Sequence, residues 1–287
     1  MENLKYINNS RTTVIRNVAG VEFVQSAALN EIDFINHAFS TREGGVSKGI
    51  WKSMNLNFGR GDDENAVREN FRLFAEAIGS DIKNMVYSMQ THTTNVVRVT
   101  REDCGNGVIL PQKFSDVDGF ITNEPGVCLV TTYADCVPLY FVDKAKKAIG
   151  LSHSGWRGTV GNMAKATIDM MVKEFGSDPS DITAFIGPSI CADCYEVSED
   201  VALIFTQAYD KSEIAGILKE KDAAEQKYLL DLHEANLINI KNAGVREADI
   251  HVTDLCTCCN PAVFFSHRAS GGKRGGLCAF LEIKHPA

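Results

Sequence analysis

The chain has 287 residues, a hydrophobic share of 44%, a charged share of 23% and a formal net charge of -8. This length supports a substantial core, and the balance excludes both disorder and a fibrous repeat. The acidic excess argues against nucleic acid as the main partner, because binding a phosphate backbone relies on clustered Lys and Arg. No apolar run approaches the roughly 20 residues of a membrane-spanning helix, so no membrane partner is expected.

The opening stretch MENLKYINNSRTTVIRN lacks the apolar core of a secretory signal. Nine cysteines, an odd number, then read as reduced thiols rather than a disulfide framework, and the expected location is the cytoplasm. The segment HAFSTREGGVSKGIWKSMNLNFGRGDD is polar, Gly-punctuated and too irregular for a core element. Its Arg42 and Asn55 either clamp a substrate or belong to a solvated surface loop. A helix is expected over residues 64–78, and buried strands over 127–131, 139–142 and 148–152. After Gly158, Met163, Ile168, Met171 and Phe175 fall at helical spacing up to Gly176. A strand over 182–186, helices over 198–209 and 225–243, and a strand over 263–266 follow, with Gly244 placed to end the last helix. Hairpin-like strand pairs near 127–152 and near the C-terminus predict a mixed α/β fold with a partly antiparallel sheet. With no repeat, low-complexity tract or Pro-rich linker, residues 1–287 are expected to form a single domain.

Three residues with metal-ligand chemistry stand at borders between strand-like runs and turns: His92 in SMQTHTTNVVRV, Cys136 in TTYADCVPLYF and His153 in IGLSHSGWRGT. A thiolate and two imidazoles suit zinc and leave a fourth position open for water or substrate. Their spacing alone is equally compatible with a surface histidine, a small core cysteine and a structural histidine. The SGWRG segment ahead of the expected helix adds a place where free N–H groups and Arg157 could hold an anion; the alternative is a turn with Trp156 in the core. Asp135, next to Cys136, points to the opposite face of a strand and could orient a neighbour of the metal or serve the surface. Near the C-terminus, CTCCNPAVFFSHRASGGKRGG gathers Cys256, Cys258, Cys259, His267 and Arg268. That crowding departs from the paired CxxC spacing of structural zinc sites and reads better as thiols than as a second metal site.

The segments FSTREGGVS, QTH, DVDGF, ADCVP, HSGWRG, IGPSI followed by CYEV, and FFSHR occur in this order. Together they resemble the YfiH family, also called laccase-domain or multicopper polyphenol oxidase-like proteins, from about Phe39 to Phe280. The resemblance implies an αββα sandwich of mixed sheets with flanking helices. It also implies a zinc-dependent purine nucleoside phosphorylase that uses phosphate to cleave adenosine, inosine, guanosine and S-methyl-5'-thioadenosine, with adenosine deaminase activity. The family's metal ligands fall on His92, Cys136 and His153, while Arg42, Gln90, Asp118, Arg157 and His267 fall on other motif positions. The resemblance thus makes Cys136, His153, Arg42 and Asp118 the catalytic candidates and Gln90, Arg157 and His267 the substrate-binding ones, to which the polar loop adds Asn55. The chain departs from the family pattern at Thr93, at Tyr133, and after Arg268, where Ala269 and then Arg274-Gly275-Gly276 replace the usual arginines. Lys273 or Arg274 is then the candidate substitute from a shifted position.

For deamination, zinc would lower the pKa of water for attack on C6 of adenine, with Asp118 or His267 moving the proton. For phosphorolysis, Arg42, Arg157 and the helix start after Gly158 would hold anionic groups. Two rival enzymes use the same residues: a Cys-His hydrolase or deamidase with Cys136 as nucleophile, and a copper-dependent polyphenol oxidase. Seven histidines without a His-x-His pair supply a multicopper centre poorly, although copper at His and Cys ligands is chemically favoured. A purely binding role is the remaining alternative.

Overall fold

Apolar runs buried on both faces organise the chain into stacked sheets. A computed structural model describes residues 4–222 and 224–285. Its strands are β1 (Thr13–Val18), β2 (Val21–Ser26), β3 (Ile35–Ser40), β4 (Met85–Tyr87), β5 (Val96–Arg98), β6 (Gly119–Thr122), β7 (Cys128–Tyr133) and β8 (Val137–Asp143). They continue with β9 (Ala148–Ser154), β10 (Ile182–Ile186), β11 (Glu196–Ser198), β12 (Leu218–Asp222), β13 (Lys227–Leu230), β14 (Ile250–Val252) and β15 (Leu277–Ile283). The helices are α1 (Glu64–Ile78), α2 (Trp156–Val160), α3 (Met163–Phe175), α4 (Glu199–Ala208), α5 (Lys211–Ile217), α6 (Leu232–Asn242) and α7 (His267–Ser270).

One sheet runs β1-β2-β3-β15-β7-β4 and the other β14-β10-β8-β9-β6-β5. Both are mixed: β4 pairs parallel with β7, β5 with β6, and β10 with β14, while the remaining pairs within them are antiparallel. Strand periodicity decides which side chains meet between the sheets. On β15, Leu277, Ala279, Leu281 and Ile283 join Phe39, Tyr140 and Leu151 in the central layer. Its intervening Cys278 and Phe280 face outward under α1, where Phe71 and Phe74 cover them. The outer face of the second sheet is covered by α3 and α6 through Met163, Ile168, Met171, Ala235 and Ile240. The expected αββα sandwich of mixed sheets is thereby observed. No helix among the described residues is long and apolar enough to cross a membrane.

Several local expectations are corrected. The helix expected after Gly158 is two helices: α2 already begins at Trp156, and Asn162, with φ +60°, caps α3 by accepting the Lys165 N–H. The stretch 225–243 is not one helix. Lys227–Leu230 pairs as β13 with β11 and β12, and Asp231 caps α6 only afterwards. Residues 263–266 form no strand, because the N–H groups of Val263 and Phe264 close turns onto the Asn260 carbonyl and Ser266 caps α7. Phe264 and Phe265 are apolar because this loop plugs the core. The hairpin near 127–152 is β8 with β9, while β7 belongs to the other sheet. At the C-terminal end β15 pairs with the distant β3 and β7 rather than with a local hairpin partner.

Candidate metal centre

The chain crosses from one sheet to the other between β7 and β8, and Cys136 sits on that crossing. Asp135, at φ +86°, supplies the left-handed turn that a short polar residue tolerates. His153 lies near the end of β9, directly opposite Pro138 in the β8–β9 register. His92, also left-handed at φ +67°, comes from the loop that joins β4 to β5. The ring nitrogens of His92 and His153 and the Cys136 sulfur all lie within 4.8 Å of one another. Cys136 Sγ is 3.9 Å from His92 Nε2, and the two imidazoles meet edge to face at 4.9 Å between centroids.

Asp118, immediately before β6, holds this arrangement together. Its fully buried carboxylate accepts the N–H groups of Thr91, His92 and Thr93 at 3.0–3.1 Å, and the Thr93 hydroxyl at 3.2 Å. It also accepts His153 Nδ1–H at 2.8 Å, which directs His153 Nε2 towards the other ligands. Burial works against its charge, but the bond to His153, the charge of His153 and the backbone N–H groups of Thr93 and Thr91 hold Asp118 below the usual carboxylate range. Burial likewise opposes ionisation of Cys136 and His153. The two histidines outweigh it and bring the thiol down to about 6, while Cys136 and Asp118 raise His153 to about 9. Both shifts favour a charged sulfur, the form in which cysteine binds a metal.

Gly155 explains the small residue in HSGWRG. A Cβ there would lie 2.9 Å from His92 Cδ2 and 3.1 Å from Cys136 Sγ, so a larger residue would push these two ligands out of their present positions. The turn then feeds α2, placing Trp156 and Arg157 within the first helical turn rather than ahead of it. The exposed Arg157 guanidinium stacks at 4.1 Å over the Trp156 ring. Together with Ile190, Tyr195 and Leu232, these two residues wall a cavity of about 100 Å³ that opens onto His92 and Cys136.

The other candidate residues are distributed less simply. Arg42 donates to the Lys52 and Pro261 carbonyls and lies 4.6 Å over the Phe265 ring, so most of its fork is spent on backbone. It borders a separate small cavity shared with Arg274. Asn55 is fully buried, its amide bonded to Asn57, Asp62 and Gly276, and it offers no free atom to a ligand. Gln90 pairs at both ends of its amide with the Thr132 backbone and borders a larger cavity of about 470 Å³ with Arg60, Arg68 and Tyr87. His267 opens α7 with Nδ1 3.5 Å from Arg274 Nη2. Its pKa is lowered by burial and then by Arg274.

The contacts of Asp135 and Arg274, both candidates from the sequence, and the place of Tyr195, which was not singled out, emerge only in the fold. Asp135 accepts the Thr257 and Ser266 hydroxyls and the Arg268 N–H, tying two distant loops to the ligand turn. Arg274, 9% exposed, is pushed down to about 10 by burial and by Arg60, while Asp135 and Cys136 pull the other way. Among the described residues its Nε has no hydrogen-bond partner. Tyr195 was visible only as part of CYEV, and nothing local announces that a loop carries it to the cavity wall.

The family model of the multi-copper polyphenol oxidoreductase laccase matches residues 36–284. The chain is 35% identical over 247 residues to the Bacillus subtilis purine nucleoside phosphorylase YlmD, covering 86% of this chain and 87% of that one. It is 36% identical over 258 residues to a Bacteroides thetaiotaomicron purine nucleoside phosphorylase, covering 89% and 94%. The crystal structure of YlmD from Geobacillus stearothermophilus superposes with a TM-score of 0.88 at 33% identity, covering 95% of this chain and all of that one.

Proposed function

Because the chain belongs to the multi-copper polyphenol oxidoreductase laccase family, which the YfiH proteins typify, we propose that it is a zinc-dependent purine nucleoside phosphorylase. Its substrates on this reading are adenosine, inosine, guanosine and S-methyl-5'-thioadenosine with phosphate, and adenosine is also deaminated. The observation that carries the reading is the convergence of His92, Cys136 and His153 beside Arg157, in a chain whose relatives are named purine nucleoside phosphorylases.

The donor set fits zinc: one thiolate and two imidazoles are borderline-soft ligands, and three protein ligands leave a position open. Zinc bound there supplies Lewis acidity towards phosphate or water. Asp118 orients His153 and fixes the loop carrying His92, a positioning role for a carboxylate whose oxygens are already engaged. Arg157, preorganised on Trp156, offers a fork of donors to an anionic or polar substrate group. Arg274, with an uncommitted Nε and Arg60 nearby, takes the place of the family's shifted arginine as a phosphate holder. Tyr195, Ile190 and Leu232 give the cavity mouth an aromatic and aliphatic side against which a base can pack. His267, with Nδ1 beside Arg274, is the imidazole on this reading that exchanges a proton with a departing base or amine.

Incubation of zinc-loaded protein with adenosine, inosine and methylthioadenosine, with and without phosphate, tests the reading by chromatography of the products. Free base and sugar 1-phosphate that form only with phosphate support phosphorolysis, and inosine from adenosine supports deamination. No product in any combination defeats the purine assignment.

A second reading rests on the closeness of the Cys136 sulfur to the two imidazoles, which would suit Cys136 as a nucleophile in a Cys-His hydrolase. Full activity without metal would favour it. Activity that disappears with the metal excludes it. Copper at the same ligands is a lesser alternative, which requires oxidase activity that appears with copper bound and is absent with only zinc bound.

A further inference from the structure

Four cysteines that the reaction does not use meet on the far side of Asp135. Cys191 and Cys194 form one C-x2-C pair in the loop after β10, and Cys256 and Cys259 form another in the loop after β14. The 65-residue gap between Cys194 and Cys259 conceals the pairing in the sequence, and Cys258 makes the second pair look like an irregular cluster. Folding places all four sulfurs within 4.8 Å of one another. We propose that Cys191, Cys194, Cys256 and Cys259 hold a single tetrahedral metal ion, zinc by ligand chemistry, separate from the His92, Cys136 and His153 centre.

The spacing distinguishes the possible occupants. Zn–S bonds of about 2.3 Å put the sulfurs of a tetrahedron roughly 3.8 Å apart. The observed Cys191–Cys259 and Cys194–Cys259 separations are 3.9 and 3.4 Å. A disulfide needs about 2.05 Å, and an iron–sulfur cube spreads its thiolates well beyond these distances. The backbone is also shaped for thiolates. Cys256 Sγ accepts the Cys191 N–H at 3.2 Å and the Cys259 N–H at 3.4 Å, bonds that favour charged sulfur. Cys191 leads into a single 3-10 turn that returns Cys194 to the same side. As each sulfur binds, its proton passes to solvent, so four thiols and one divalent ion give a closed tetrathiolate and four protons.

Four protein ligands leave no open position, so the ion is structural. It fastens the loop bearing Ile190 and Tyr195 to the loop bearing Thr257. Thr257 donates its N–H to the Ser189 carbonyl and its hydroxyl to Asp135, while the Ile190 N–H bonds the Asp135 carbonyl. The cavity wall and the turn that presents Cys136 are therefore referenced to this clamp.

Metal analysis of the full-length protein purified under reducing conditions, without chelator, tests the assignment. The expected content is two zinc ions per chain in the wild type, and one each in Cys194→Ser/Cys259→Ser and in Cys136→Ala. As a measurement independent of variant folding, wild-type protein reconstituted with cobalt alone should bind two ions. One of them should show the intense near-ultraviolet thiolate-to-cobalt absorption of a tetrathiolate, retained in Cys136→Ala. A single ion per chain that vanishes with Cys136→Ala overturns the proposal, as does a disulfide among the four cysteines in reduced protein.

Discussion

The Asp118 carboxylate accepts hydrogen bonds from the Thr91, His92 and Thr93 backbone on one side and from His153 on the other. One buried group thus fixes a loop ligand against a strand ligand. In Asp118→Asn the amide keeps the shape but loses the charge and half the acceptor capacity. Metal affinity at the His92 centre is expected to fall about 10- to 100-fold. Competition with a chelating dye measures this, and unchanged affinity would remove the positioning role. At Gly155 the limit is space rather than backbone strain, since φ is -73°. Gly155→Ala should lose the ion from this centre while the far-ultraviolet spectrum stays that of the wild type; retention of the full metal content would contradict the close approach. Residue types that can bind metal were legible in the sequence because His92, Cys136 and His153 stand beside turns. Commitment was not: whether Arg42 and Asn55 are free or spent on backbone depends on loops up to 221 residues away.

Behind the metal ligands, β9, α2 and α6 are joined by a buried polar link. The Ser154 hydroxyl donates to Asn236 Oδ1 at 2.9 Å, and Asn236 Nδ2 donates to Thr159 Oγ1 and to the Leu232 carbonyl. All three side chains are fully buried. Asn236→Ala leaves the Ser154 and Thr159 hydroxyls without this shared partner, and a loss of about 2 kcal/mol in unfolding free energy is expected. Denaturant titration measures it; a change below about 0.5 kcal/mol would mean the link carries little of the docking. Elements with complete local signals were read correctly. The helix α1 has its Asp63 cap, an apolar stripe of Val67, Phe71, Phe74 and Ile78, and Gly79 in the left-handed region at its end. Elements defined by distant partners were not. The four residues of β13 look helical in a window that runs into α6, and only pairing with β11 and β12 makes them a strand. Phe264 and Phe265 have the composition of a strand but sit in a loop, because core burial, not a ladder, accounts for their apolarity.

The layered architecture creates a second kind of sensitivity, to pH, through a histidine enclosed between the sheets. His37 is 3% exposed, accepts the Ser26 N–H on Nε2 at 2.8 Å and meets the Tyr140 ring edge to face. Burial lowers its pKa from 6.5 to about 4. Above pH 6.5 neither state binds the proton. Between 6.5 and about 4 the unfolded chain binds it and the folded chain does not, so stability falls as pH falls through that window. The full effect is about 3 kcal/mol. Urea titrations across the window should show that loss in the wild type and a correspondingly flatter profile in His37→Gln. Identical profiles would place the acid sensitivity elsewhere. At the scale of the molecule, alternating buried runs made a mixed α/β fold legible, and the family resemblance supplied the αββα layering. The joining of two C-x2-C pairs across the fold was not legible, because it arises only when the β10 and β14 loops are brought side by side. Turnover is expected to require a single ion at His92, Cys136 and His153. The direct measurement is the rate of phosphate-dependent inosine cleavage against zinc occupancy of that centre. The rate is expected to rise in proportion to occupancy and to stay at background in Cys136→Ala at any zinc concentration. Full turnover by metal-free protein, or no ribose 1-phosphate at full occupancy, would contradict it.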